Sequence, residues 1–294
     1  MKKLAFLSTD HLEGFFVYDE LLIAPFAQAG WHVDTISWHR RDINWDAYEA
    51  VIVRSTWDYQ QHPEAFLKTL NEIDKSRAKL ENTFTLQRWN LHKTYLKDLQ
   101  KHGSMVVPTR WLSCFEKDKI EAQFRHWNTD YLIIKPTLSA NADDTFKLSL
   151  AELNAKCDEL MKIFANRQLM VQPFLDNIEK EGEYSLFYFN GNYSHAILKR
   201  PASGDFRVQE EHGGQLAVCS PNDDMLGAAE QALNAMPDTA LYARVDLIRY
   251  EETWAIMELE LIEPSLYFTL DAQSPQRFVE AFTQRMEDSV LHAV

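Results

Sequence analysis

No stretch of this chain approaches the roughly 20 consecutive apolar residues of a membrane span, so no transmembrane helix and no membrane partner are expected. Basic charge is also short. With 30 Lys and Arg against 44 Asp and Glu, the formal net charge is -14, which argues against a nucleic-acid partner, because phosphate-backbone binders carry a broad basic surface. Cysteine is scarce: Cys114, Cys157 and Cys219 are odd in number and widely spaced, forming neither a disulfide framework nor a zinc pattern, and they suggest a reducing, cytoplasmic setting. The opening "MKKLAFLSTDHLEGFF" has a short apolar run that Ser8, Thr9, Asp10 and His11 break too early for a secretory signal, so it reads as a first strand. Repeats, low-complexity tracts and Gly/Ser linkers are missing as well. What remains is a 294-residue globular composition, 46% hydrophobic and 25% charged, long enough for two or three packed units.

The first third alternates apolar runs with helix-like segments: "KLAFLS" (3–8), an amphipathic stretch ending near Gly30, "HVDTISW" (32–38) and "YEAVIVRST" (48–56). That order predicts a βαβ pattern and a small parallel sheet. A helix is expected over residues 63–74. From "TLQRWNLHKTYLKDLQKHG" (85–103) the pattern changes to a charged amphipathic helix stopped by Gly103, which places a boundary near residue 85. "MVVPT", "DYLIIKP" and "QLMVQPFL" follow, with a helical stretch around 150–164. "GEYSLFYFNGNYSHAILKRP" predicts an antiparallel hairpin turning at Asn190 and Gly191. A loop with Gly213 and Gly214, a helix near 224–235, the strands "YARVDLIRY" and "WAIMELELIE", and a terminal helix from about 275 complete the chain.

In "IMELELIEPSLYF" (256–268), Glu258 and Glu260 share one face of a strand while Met257, Leu259 and Leu261 share the other. Two readings stand: the face is simply solvated, or the carboxylates hold something. In a regular strand Glu263 would take the opposite face. Lys135, closing "DYLIIKP", reads alone as a lysine snorkelling from a strand end, and Lys93 as a solvated helix residue. With Lys199, Arg200 and Arg207 they would form an anion pocket, which Asp246, Glu258 and Glu260 complement with the hard oxygen ligands that Mg²⁺ prefers. "RSTWDY" (54–59) lies at the end of a parallel strand, where α/β sheets bind ligands. It is either a capped turn with a core tryptophan or a selector in which Arg54 clamps a carboxylate beside Asp58. His195 and His212 read as packed or surface residues before they read as bases. No serine or cysteine nucleophile stands out.

In this order, "WNLHK", "LIIKP", "LMVQPFL", "GEYSLFYFNG", "LKRPASGDFRVQEEHGG", "YARVD" and "MELELIEPSL" resemble the ATP-grasp superfamily, in its glutathione-synthetase-like branch. The last four, together with "RSTWDY", resemble ring-closing ligases of that superfamily. The resemblance implies an α/β (α+β ATP-grasp) fold: a parallel-sheet domain over 1–85, one ATP-grasp lobe over 86–171 and a second over 172–294, with the nucleotide between the lobes. It implies ATP and Mg²⁺ as cofactors. Lys93 and Lys135 would contact the α- and β-phosphates, and Gln172, Pro173, Phe174 and Leu175 would line the adenine edge. Glu183 would bind the ribose. Arg207, with Lys199, would face the γ-phosphate or an acyl phosphate, while Asp246, Glu258 and Glu260 would hold the metal. The sequence departs from this pattern in two places. The loop after Lys135, "TLSANADDT", has no glycine, although Asn141 tolerates a left-handed backbone. Glu260 stands where such sites usually have Asn. The implied activity is a ligase joining the carboxylate of a small amino-acid-like substrate to an amine, in the same or a second molecule. A peptide- or protein-modifying ligase and a nucleotide-binding regulator without turnover are the alternatives. Oligomeric state is not legible.

Overall fold

Parallel strands need a crossover connection between them, and the alternation of apolar strands with helical segments in the first unit supplies it. In the computed structural model, which describes residues 1–291, β1 (Lys2–Ser8), β2 (Trp31–Ser37), β3 (Ala50–Ser55) and β4 (Lys79–Glu81) form a parallel sheet in the order β2-β1-β3-β4. Every residue of β3 is buried, as expected of a central strand covered on both faces. Pro63 opens the helix Pro63–Asp74, where its missing N–H costs nothing, and Phe66, Leu70 and Ile73 pack that helix onto the sheet.

The segment expected as one helix over 85–103 is two, Phe84–Asn90 and Tyr95–Lys101. The break has a local cause: the Lys93 amide donates to the Thr137 carbonyl at 2.7 Å, across the chain instead of along a helix. Lys93 therefore sits in the interruption and not on a solvated helix face. Both helices pack through Leu86, Tyr95, Leu96 and Leu99 against the last sheet.

β5 (Arg110–Leu112), β6 (Tyr131–Pro136), β7 (Phe146–Ser149) and β8 (Leu169–Pro173) make an antiparallel sheet in the order β5-β8-β6-β7. The helical stretch between β7 and β8 divides into Leu150–Ala155, started by a Ser149/Glu152 capping box, and Cys157–Ile163. β9 (Glu183–Phe189) and β10 (Asn192–Arg200) form the expected hairpin. Asn190 and Gly191 take φ of 48° and 77°, which a two-residue turn of the right twist requires. With β11 (Gln215–Cys219), β12 (Tyr242–Tyr250) and β13 (Thr253–Glu260) they complete an antiparallel sheet ordered β11-β10-β9-β12-β13.

The helix Ser274–Leu291 ties the first unit to this last sheet, because Phe278 and Phe282 share one apolar cluster with Phe6 and Phe26 on one side and Phe187 and Phe189 on the other. No helix of the described residues is long and apolar enough to cross a membrane.

Candidate active site

Residues from the two antiparallel sheets, together with Phe15, Trp57 and Tyr59 from the segments that follow β1 and β3, line one cleft. Its one end is apolar, walled by Val107, Ile133, Phe174, Val208, Ile248 and Met257, and the Gln172–Leu175 segment runs along it. Its middle is charged. On β12 and β13, Asp246 stands opposite Glu258 and Arg244 opposite Glu260, so strand periodicity places all four on the wall of the cleft. Lys135 at the end of β6, Lys199 near the end of β10 and Lys93 in the helix break reach the same space.

These groups neutralise one another. Lys135 Nζ lies 3.0 Å and Lys93 Nζ 3.3 Å from Glu258 Oε1. Burial works to raise the Glu258 pKa, but the two lysines overcome it and hold the carboxyl well below the usual range. Lys199 pairs with Glu183 and lies 3.5 Å from Asp246, and its ammonium is held firmly charged because the two acids outweigh burial. Arg244 grips Asp246 at 2.9 Å and also contacts Glu260. Acid outnumbers base, however. Burial pushes Glu260 up to about 7 against the pull of Arg244, and burial followed by the neighbouring Glu260 pushes Glu263 up to about 8.

This geometry decides three points that the sequence left as alternatives. The Glu258/Glu260 face is not a solvated sheet surface but the wall of the cleft. Lys135 does not snorkel: it is 7% exposed and ion-paired. Glu263 does not take the opposite face, because β13 ends at Glu260 and the following turn brings Glu263 into the same cleft. That turn is pinned by the Asn90 and Asn82 side chains, which bond the Leu261 amide at 2.9 Å and carbonyl at 2.8 Å, and by Trp57 Nε1, which donates to the Glu263 carbonyl at 3.0 Å.

Of the residues singled out from sequence, Lys93, Lys135, Gln172, Pro173, Phe174, Leu175, Glu183, Lys199, Arg207, Asp246, Glu258 and Glu260 all line the cleft. Gln172 donates to the Thr109 hydroxyl at 2.9 Å. Arg207 is turned onto Asp205, which it holds at 2.7 Å. Arg54 and Asp58 are not in the lining. Arg54 is buried on Asp19 at 2.8 Å, and Asp58 accepts hydrogen bonds from Thr9, from Trp38 at 2.6 Å and from His39 at 2.6 Å. Neither presents a free group to the cleft. His195 stacks on Phe187 at 4.3 Å, and burial pushes its pKa down to about 4, so it is a packed neutral imidazole. His212 approaches the Asn141 carbonyl at 3.4 Å. The glycine-free loop after Lys135 does reach left-handed backbone, with φ of 49° at Asn141, 58° at Ala142 and 51° at Asp144.

Among the described residues, no three carboxylate, imidazole or thiolate groups converge as a ready metal site. The reason is visible: Asp246, Glu258 and Glu260 are each turned onto a lysine or arginine. The donor chemistry nevertheless fits a hard divalent cation, since the three are carboxylates sharing one cleft wall with an excess of acid around them.

Sequence reasoning missed Arg244, Tyr59, Tyr267 and Glu263, all in the lining. Arg244 carried a signal, being two residues before Asp246 and therefore on its face. The others reach the cleft through turns, which periodicity does not report.

The comparisons with known proteins agree with this architecture. Residues 4–82 match the family model described as D-cycloserine synthetase DcsG, N-terminal domain. The chain is 27% identical over 283 residues to the cycloserine biosynthesis protein DcsG of Streptomyces lavendulae, covering 90% of this chain and 93% of that protein. The crystal structure of D-cycloserine synthetase DcsG superposes with a TM-score of 0.85 at 24% identity, over 97% of this chain and 99% of that one. D-alanine–D-alanine ligase from Bacillus anthracis gives 0.69 at 10% identity over 100% of both chains. The ATP-grasp ligase PsnB, solved with a precursor variant, Mg and ADP, gives 0.67 at 12% identity over 96% of this chain and 98% of that one.

Proposed function

We propose that this chain, whose fold is that of the ATP-grasp ligases, is an ATP- and Mg²⁺-dependent ligase that activates a carboxylate of a small amino-acid-like substrate for attack by an amine, in the same molecule or a second one. The observation that carries this reading is the cleft in which an apolar end adjoins three buried cations, Lys135, Lys199 and Arg244, the half-buried Lys93 and an excess of carboxylates.

Joining a carboxylate to an amine in water is uphill, and a carboxylate is a poor electrophile. In the proposed reaction a carboxylate oxygen attacks the γ-phosphorus, the bond from that phosphorus to the β–γ bridging oxygen breaks, and ADP leaves. The amine nitrogen then attacks the acyl carbon, loses a proton and expels phosphate. Such transfer depends on positioning and charge neutralisation more than on covalent help, in keeping with the lack of a nucleophile. The adenine fits the apolar end along Gln172–Leu175, and Glu183 would take the ribose. Lys93 and Lys135 are the α- and β-phosphate ligands in this reading. Both now spend their charge on Glu258, and a bound polyphosphate would draw them off and release that carboxylate. Asp246, Glu258 and Glu260 would then hold Mg²⁺, which when bound neutralises charge on the phosphates. Lys199, Arg244 and, after leaving Asp205, Arg207 would stabilise the transferring phosphoryl group. The free thiols of Cys114, Cys157 and Cys219 suit a cytoplasmic setting.

The test is ADP and phosphate release from Mg-ATP against a panel of amino acids and their derivatives. Substrate-dependent release supports the reading. A protein that Mg-ATP does not stabilise against heat, under any condition of the panel, overturns it.

A further inference from the structure

One acidic side chain of the cleft has no lysine or arginine at salt-bridge distance among the described residues. Glu183, Asp246, Glu258 and Glu260 each have a lysine or arginine at salt-bridge distance, whereas Glu263, among the described residues, has none. Its side-chain partner is the buried hydroxyl of Tyr59. Beside it stands an aromatic wall, Phe15 stacked on Trp57 with ring centroids 5.0 Å apart, and both rings line the cleft. The backbone that carries Glu263 is fixed on three sides. Trp57 donates to the Glu263 carbonyl at 3.0 Å, Arg54 to the Pro264 carbonyl at 3.3 Å, and the Tyr242 hydroxyl to the Ile262 carbonyl at 2.9 Å. Burial and the neighbouring Glu260 favour the neutral form of Glu263, because an uncompensated buried carboxylate is costly, and a ligand that brings a cation would restore its charge and gain an ion pair. The faces of Phe and Trp attract the same cation.

We infer that Glu263, with the Phe15–Trp57 wall, is the specificity-determining residue that selects the substrate's cationic amine. The inference rests on the ligase reading above and names the substrate group that the cleft selects. Arg54, expected from sequence to clamp the substrate, instead anchors the turn that presents Glu263.

The experiment measures binding of D- and L-alanine and D- and L-serine to the Mg-AMPPNP-loaded protein by calorimetry, each beside the hydroxy acid in which OH replaces the amine. At least one amino acid should bind at least 10-fold tighter than its hydroxy acid. Glu263→Gln should reduce that preference at least 10-fold and leave Mg-AMPPNP affinity unchanged. Equal binding of amino and hydroxy acids by the wild type, binding of none of these amino acids, or an undiminished preference in Glu263→Gln overturns the inference. The wild-type comparison stands even if the variant fails to fold. Failure of Mg-AMPPNP itself to bind strikes the ligase reading first, so the two failures are distinguishable.

Discussion

Replacing Lys135 by alanine removes one of the two cations that neutralise Glu258, leaving only Lys93, whose Nζ is 3.3 Å away. Had Lys135 been a snorkelling surface residue, the unliganded protein would be indifferent to the change, since exposed substitutions fall within about 0.5 kcal/mol. At 7% exposure it is not such a residue. Breaking a buried pair outright costs roughly 3–5 kcal/mol, and a hydrogen bond to a charged group contributes about 1.5–3 kcal/mol. Because Lys93 remains, the expected loss is at the lower end, roughly 2 kcal/mol. Urea unfolding of Lys135→Ala, Glu258→Gln and the double variant forms a cycle whose coupling should exceed about 1 kcal/mol. The pH dependence has a fixed sign. The folded Glu258 carboxyl lies below its unfolded value, so its pairing stabilises above the unfolded pKa of about 4.3 and is lost as pH falls below it. The gap between wild type and Lys135→Ala should therefore narrow in acid. Additive single effects, or a loss under about 0.5 kcal/mol, would refute the reasoning.

Other predictions follow from the same geometry. Arg244→Lys keeps the charge but loses the planar two-acid grip, so turnover should fall at least about 100-fold while circular dichroism shows the fold retained. His195, pushed down to about 4, stays neutral while the unfolded chain takes up its proton near pH 6.5. Stability should therefore fall between about pH 6.5 and 4, by roughly 3 kcal/mol in total, and His195→Gln should lack that part of the slope in pH-dependent denaturation. Gly182 has φ of +108°, and a β-carbon there would meet the Lys199 carbonyl at 2.5 Å. Gly182→Ala should lose at least about 2 kcal/mol in urea unfolding and weaken the adjoining Glu183–Lys199 pair.

Periodicity made much of the molecule legible. The parallel first sheet, the Asn190–Gly191 hairpin and the alternation of Glu258 and Glu260 are local patterns whose spacing survives folding. The ordered motifs added which residues share a cleft. What stayed hidden depends on contacts distant in sequence. Lys93 breaks a helix because its amide finds Thr137, and Glu263 enters the cleft because Asn82, Asn90 and Trp57 hold a turn after β13. Arg54 was misplaced for the same reason. An arginine at a strand end has the same sequence signature whether it faces a ligand or, as here, the half-buried Asp19.

The central claim is that a substrate carboxylate is activated by phosphorylation, and oxygen transfer tests it most directly. The assay runs turnover on a carboxylate-¹⁸O-labelled amino-acid substrate from the panel, with Mg-ATP, and examines the released phosphate by mass spectrometry. The account predicts one ¹⁸O in each phosphate, because the attacking carboxylate oxygen leaves with the phosphorus when the amine closes the new bond. Phosphate carrying oxygen only from ATP and solvent, at the same rate of product formation, would contradict it.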